Sequence, residues 1–458
     1  MDSQAGASPQ TAPPAGCPMH QPQSAPLYGE DFAAHPQEIY ARLRAQGPVA
    51  AVELAPGVDA DLVIAHDAAL RVLQNPSLFA RDARRWAALN EGRVPADSPV
   101  LGMMGYRPNA MFSDGAEHLR LRKAITESLA RINTARLSRD VERVADYLID
   151  QFSERGSADL LNDYAKLLPL LLFNQLFGCT GDIGDRLTHY MSMLFDGQDV
   201  VRSNEELNAC LMELVALKRR QPGEDMTSWL IQHPAGLRDE ELKDQLVLLM
   251  GAGVEPERNL IGNALLLLLS EEAPAPGSRG GGLLVEDALD DVLWNHSPIA
   301  NYGTHFPLQD VDLDGTVLPA NSPVLISFAA ANSDPSLTDA RQTLSKGAHL
   351  AWGAGPHACP AKSPAQLIAL TAIERILNAL PDIALAAPAR ELAWRPGPFH
   401  RALVSLPVRF TPTAARRAAA PRPVAQTVPV PPTQAVPGEQ TPKKAKGWWS
   451  SFLDVFRV

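Results

Sequence analysis

The stretch HLAWGAGPHACPAKSPAQLIAL, residues 349–370, decides how this chain reads. Gly353 and Gly355 let the backbone turn tightly and approach a flat ligand without a Cβ clash. Cys359 follows, and Pro360 is suited to the first position of a helix running toward Ile376. A cysteine at a helix N-terminus meets the positive end of the helix dipole, which favours the thiolate, the form that binds a metal. A lone cysteine is otherwise most often a buried, inert side chain. The paired glycines and His357, two residues upstream, set this one apart.

The segment resembles the cysteine loop of the cytochrome P-450 family, FGxGxHxCxG, with Trp352 in place of Phe and Ala361 in place of the last Gly. The resemblance spans about residues 27–410, in the family's order. It implies a mainly α fold with a minor β region in a single large domain. It also implies a haem b whose iron takes the Cys359 thiolate as axial ligand. Trp352, Gly353 and His357 stand at cofactor-binding positions of that loop. DGAEHLRLRKA (114–124) looks like the family's haem-propionate helix. His118 and Arg122 lie four apart, share one helix face and can reach two carboxylates together. A His and an Arg on a helix are by themselves usually a solvated face. His305 stands where the family usually has an arginine toward the same propionates.

LKDQLVLLMGAGVEPERNLIGNALLLLL (242–269) looks like the long helix that passes over the haem. The family motif there reads roughly AGxET. Ala252, Gly253 and Glu255 match it, and the resemblance makes them the oxygen and substrate face. Pro256 replaces the threonine. Proline has no side-chain donor and deletes a backbone N–H, so the usual proton route is missing and the helix is expected to kink or open. Glu255 reads equally as a proton relay or as a carboxylate satisfied locally. A second departure lies in LLVEDALDDVLWNHSPIANY, where the family's ExxR becomes Asp291-x-x-Trp294. No charge pair can form between those two, and Trp294 is expected to pack apolar surface instead. Arg341 is the arginine available between Pro335 and His349 for the family's third partner, and the sequence assigns it no role. These features look most like an actinobacterial subgroup that lacks ExxR, whose members occur in operons with a sensor-like protein and a small GTPase.

Bulk properties agree with a globular body. Of 458 residues, 45% are hydrophobic and 20% charged, as expected for a protein with a substantial core. The four cysteines (Cys17, Cys179, Cys210, Cys359) show no paired spacing, so neither a disulfide framework nor a structural zinc site is expected, and a reducing cytoplasm fits. No signal peptide is read at the N-terminus, and LLPLLLF and ALLLLL are too short to cross a bilayer. The net charge of −11 argues against nucleic acid as a partner. Residues 1–26 read as a disordered Pro/Ala/Gln/Ser-rich segment and 27–410 as the haem domain. PGVDADLVIAH and a hairpin turning at Asp314-Gly315 are its clearest strand text, and PAPGSRGGG (274–282) reads as a loop. Residues 411–442 read as a flexible linker and 443–458 as a basic amphipathic tail.

In the tail, Trp448, Trp449, Phe452, Leu453, Val455 and Phe456 fall on one arc at about 100° per residue, behind Lys443, Lys444 and Lys446. That pattern suits an anionic membrane surface, a groove on a partner, or this chain's own core, and the linker makes a reaching role more natural. Two functions follow. The first is a monooxygenase that inserts one oxygen atom into a small apolar substrate. Its electrons come from NAD(P)H through ferredoxin reductase and ferredoxin, or peroxide serves as oxidant. The second is a haem-binding regulatory protein tethered by its tail to a membrane-associated GTPase complex, with little turnover.

Overall fold

The computed structural model of the protein describes residues 24–195, 198–270, 284–338, 345–415 and 447–456. The N-terminal segment through residue 23, the 274–282 loop, Arg341, Val455 and Phe456 as side chains, most of the linker and the three tail lysines lie outside the described residues. Strand pairing starts slightly before Leu27: Ala25–Pro26 pairs in parallel with Val52 and Glu53.

Helices carry the body. The relevant ones are α1 (His66–Gln74), α2 (Gly115–Leu129), α3 (Thr134–Phe152), α4 (Leu167–Phe177), α5 (Gly181–Phe195), α6 (Val200–Arg220), α7 (Asp239–Leu269), α8 (Val285–Asn295), α9 (Phe328–Asn332), α10 (Lys362–Ala379) and α11 (Trp448–Phe456). Local chemistry explains their ends. The Asn133 side chain accepts the Arg136 N–H and caps α3. From there Leu137, Val141, Val144, Ala145, Leu148 and Phe152 bury one stripe. Three acids open α7, and Glu241 accepts the Arg238 N–H at its start. The helix does not open at Pro256. It runs continuously through the proline, and the one bond proline must delete is that to the Ala252 carbonyl. The helix after Cys359 begins at Lys362, two residues beyond Pro360.

A six-stranded sheet flanks the helices. Taken as β1 (Ala25–Pro26), β2 (Val49–Ala55), β3 (Val58–Val63), β4 (Phe79–Ala80), β5 (Asn301–Pro307) and β6 (Val324–Ser327), its order is β1-β2-β3-β6-β5-β4. The VDADLV text is its β3. The hairpin Val311–Leu313/Thr316–Leu318 turns at Asp314 and Gly315, both at positive φ, as the sequence anticipates.

Behind the cysteine loop, uncharged groups connect α8, α9 and the loop. Asn332 donates to the Leu293 carbonyl (3.1 Å), and its side-chain oxygen accepts the Leu350 N–H (2.7 Å). The Trp294 indole donates to the Lys346 carbonyl (2.6 Å) and meets the His349 ring edge-on at 5.6 Å. Asp291 accepts from Asn295 (2.8 Å). The place of the family's ion pair is therefore filled by an indole and an amide.

The tail does not reach outward. Trp449 and Phe452 are buried, and α11 lies against α5, α4 and Tyr147 of α3. Within the arc, Trp449 and Phe452 are covered by the chain's own surface, and Trp448 stays exposed.

The bridging amide gives a direct test. Asn332→Leu strands a buried carbonyl and a buried N–H, and should lower unfolding stability by about 2–4 kcal/mol in denaturant titration. An unchanged midpoint would remove Asn332 from the frame.

Candidate active site

The cysteine loop is shaped by two glycines with different tasks. Gly353 and Gly355 both sit at φ 68°. At Gly355 a Cβ would come within 2.2 Å of the Leu73 carbonyl oxygen at the end of α1. The close approach there is to a helix terminus of the chain itself. The Cys359 N–H donates to the Trp352 carbonyl (2.7 Å) and the Ala358 N–H to the Gly355 carbonyl (3.1 Å), closing the loop. Burial pushes the Cys359 thiol up, while the Ala361 N–H and the Arg122 guanidinium draw it back down. Arg122 also donates to the Ala358 carbonyl, so α2 is fastened to the loop one residue before the thiol.

Around that thiol the structure gathers basic side chains from four elements. His118 from α2 lies against His357 of the loop, with ring centroids 4.0 Å apart and planes tilted by 31°. His305 comes from β5. Each of these imidazoles is held below the usual histidine range, first by burial and then by neighbouring positive charge. For His357 that charge comes from Arg81, His118, His305 and Arg122 together.

Arg81 is the member that sequence reasoning missed. It follows β4, whose Ala80 pairs with Phe306, so one further step of antiparallel register sets Arg81 opposite His305. It is buried, and Asp114 spends its carboxylate on the backbone N–H groups of Arg81 and Asp82. Nothing in ARDARRW distinguishes this arginine from its neighbours. Its signal is the pairing of β4 with β5, which only the fold supplies.

The arrangement fits haem. His118 Nε2, His305 Nδ1 and Trp352 Nε1 are buried polar atoms without a hydrogen-bond partner. Each is an unmet demand that an acidic, flat ligand can meet. Two propionates would satisfy Arg81, Arg122 and the imidazoles, with iron on Cys359.

On α7 the predicted residues part company. Ala252 and Gly251 are exposed in the middle of a helix whose C-terminal half is buried, and a Cβ at Gly251 would meet nothing within 4 Å. Half-buried Val247, Leu248 and Leu249 continue this strip, which leaves open apolar space along the helix. Gly253 instead makes room for a side chain: a Cβ there would come within 2.3 Å of Phe173 Cζ on α4. Glu255 is buried and engaged by Arg395, by Arg258 (3.4 Å) and by Asn259 (3.4 Å). Arg395 also lines a cleft of about 210 Å³ with Tyr40, His296 and His400. Glu257 lies in the core with its carboxyl held far above the usual range by burial.

No family model matches the chain. Among curated proteins it is similar to the cytochrome P-450 monooxygenase PikC of Streptomyces venezuelae, 32% identical over 83% of this chain and 92% of that one. It is also similar to cytochrome P-450 107B1 of Saccharopolyspora erythraea, 30% identical over 83% and 96%. Among solved structures, CYP154C4 from Streptomyces sp. W2061 superposes with a TM-score of 0.74 at 27% identity, over 84% of this chain and 97% of the other. CYP154A1 from Streptomyces coelicolor A3(2) gives 0.71 at 26%, over 84% and 100%.

His349 supplies a pH test. Burial and the Lys362 charge lower its pKa to about 4. Unfolded, it takes up a proton near 6.5, so the unfolded state binds more protons between those values. Stability should be flat above about pH 6.5 and fall by about 1.4 kcal/mol per pH unit from this residue as pH drops toward 4. His349→Phe should remove that part of the slope in a melting series.

Proposed function

The chain belongs to the cytochrome P-450 family of haem-thiolate oxidoreductases, and on that premise we propose a monooxygenase that oxidises a small apolar substrate lying along α7. The carrying observation is the set of unpartnered buried imidazole and indole nitrogens around Cys359, beside an apolar strip opened at Gly251 and Ala252. Arg81, His118, Arg122, His305 and His357 would hold the propionates, and Cys359 the iron. Haem bound in this way supplies the redox chemistry that activates dioxygen or peroxide.

The protein's own residues then set the proton supply. Pro256 offers no hydroxyl and leaves the Ala252 carbonyl without its helical donor. Ala252 is exposed, so a water or a substrate hydroxyl would be the donor available to that carbonyl. Glu255 is tied to Arg258 and Arg395, and Arg395 also lines the neighbouring cleft, so the carboxylate is held by two guanidiniums and does not stand free toward the strip. Val247, Leu248, Leu249 and Phe173 exclude water and favour an apolar substrate. We place the enzyme in the cytoplasm, with electrons delivered by a ferredoxin and its NAD(P)H-dependent reductase. The weak proton route makes peroxide a competent second oxidant. The regulatory reading rested on the missing hydroxyl at position 256 and on a tail reaching outward, and α11 is docked on the body.

The defining measurement is the absorption spectrum of the reduced protein under carbon monoxide. Wild type should give the red-shifted Soret band of thiolate ligation, and Cys359→Ser should lose it while folding normally. A colourless wild type that rejects added haem would overturn the proposal. With a surrogate ferredoxin system and a substrate that shifts the spectrum, Pro256→Thr should raise product formed relative to peroxide released by about tenfold or more. An unchanged ratio would mean that position 256 does not limit proton delivery.

A further inference from the structure

The first turn of α5 and the start of α11 are cut to each other. At Gly184 a Cβ would come within 2.1 Å of Trp449 Cδ1, and at Gly181 within 2.9 Å of Ser450 Oγ. The two glycines are three apart on one helix face: Gly184 is the floor on which the indole lies, and Gly181 makes room for Ser450 and Leu453 beside it. Asp185 projects beside them and accepts the N–H groups of Trp449 (2.8 Å) and Ser450 (3.1 Å), capping α11 from another helix. Reciprocally, Gly447 carries no side chain because a Cβ there would strike the Asp185 carboxylate at 2.2 Å. Trp449 stacks on Phe452 at 5.3 Å, and Tyr147 of α3 meets Phe452 edge-on at 5.4 Å. The sequences GDIGD (181–185) and GWWS (447–450) thus act as receptor and ligand within one chain.

The dock sits on a joint. Trp449 Nε1 donates to the Cys179 carbonyl (3.3 Å), in the turn between α4 and α5. Beneath that turn, Asn174 donates to the Gly184 carbonyl (3.0 Å) and to Thr188 (2.8 Å). The junction is held by Asn174 from inside and by Trp449 from outside. From it, α5 packs on α6, and α6 packs on α7. Ile183, Leu187, Leu207, Leu211, Leu246 and Met250 belong to one apolar cluster, with Phe173, Leu248 and Leu249 on its rim. Whatever loosens the base of α5 therefore acts on the cover over the apolar strip.

The attachment is also long. Thr413 donates to the Ser153 carbonyl, and Ala415 to Glu154, at the C-terminal end of α3. Tyr147, which touches α11, lies six positions earlier on that helix, about 9 Å along its axis. Residues 416–446, about thirty in all, join these points, where a handful of extended residues would suffice. A connection of that many residues is longer than docking requires, so its length alone does not hold α11 in place.

We propose that α11 is a releasable clamp on the α4–α5 joint, and that its docking slows ligand passage to the space along α7. The second part rests on the reading of that space as the substrate site. Two measurements on the full chain separate the parts. Hydrogen exchange of amides 181–190 should quicken about tenfold in Trp449→Ala, in Asp185→Asn and on deletion of residues 447–458. In stopped flow, the haem-loaded forms of the same variants should bind 4-phenylimidazole several-fold faster, with the reduced carbon monoxide spectrum unchanged. Unchanged exchange across all three would overturn the clamp. Faster exchange with an unaltered azole rate would overturn its control of passage. A protein that takes up no haem would defeat the functional reading alone, because the exchange measurement does not use haem. Asp185→Asn guards against misfolding, since it keeps the size of the side chain and the length of the chain.

Discussion

Burying a guanidinium or an imidazole without an acid beside it is costly, and this fold does so repeatedly within one small volume. Arg81, Arg122, His118, His305 and His357 converge on the edge of the cysteine loop from β4, α2, β5 and the loop itself. Asp114, whose charge bears on both Arg81 and His118, is already committed to backbone N–H groups. Such a cluster makes sense only around an anionic ligand, and much of the surrounding architecture serves to assemble it. Pairing of β4 with β5 delivers Arg81, α2 delivers a histidine and an arginine on one face, and Gly355 tucks under the end of α1 so that His357 can reach inward.

The departures from the family pattern are tolerable because each is compensated by a neighbour. Trp294 cannot accept or carry charge, but its indole finds the Lys346 carbonyl, and Asn332 performs the bridging that a charged network would otherwise perform. Replacing buried ions with well-packed neutral groups avoids their desolvation. His305 cannot supply a permanent cation, and Arg81 across the strand pair does. Pro256 removes a hydroxyl and at the same time frees a carbonyl.

Much of this was legible in the chain. The spacing of glycines, histidine and cysteine between 353 and 359 announced the loop, and the four-residue interval between His118 and Arg122 announced a shared face. The Asp314-Gly315 turn and the long helical text around residue 250 were equally direct. What stayed hidden depended on tertiary register. Arg81 gains its meaning from a strand partner more than 220 positions away. Gly253 matches a motif, yet its absent side chain is explained by Phe173, and Glu255 finds Arg395, 140 positions distant. The tail showed its amphipathic arc plainly, but an arc says that a face will be covered and not by what. The covering surface was written in Gly181, Gly184 and Asp185, three residues that look ordinary until the start of α11 lies on them.

The neutral frame behind the cysteine loop bears on the order in which the protein can mature. Hydrogen bonds from Asn332 and Trp294 need no counter-ion and no metal to be satisfied. The loop can therefore reach its working shape while the chain is still colourless, leaving only the basic pocket above it under strain. Binding of the prosthetic group would then complete the basic pocket and would not be needed to build the frame behind the loop.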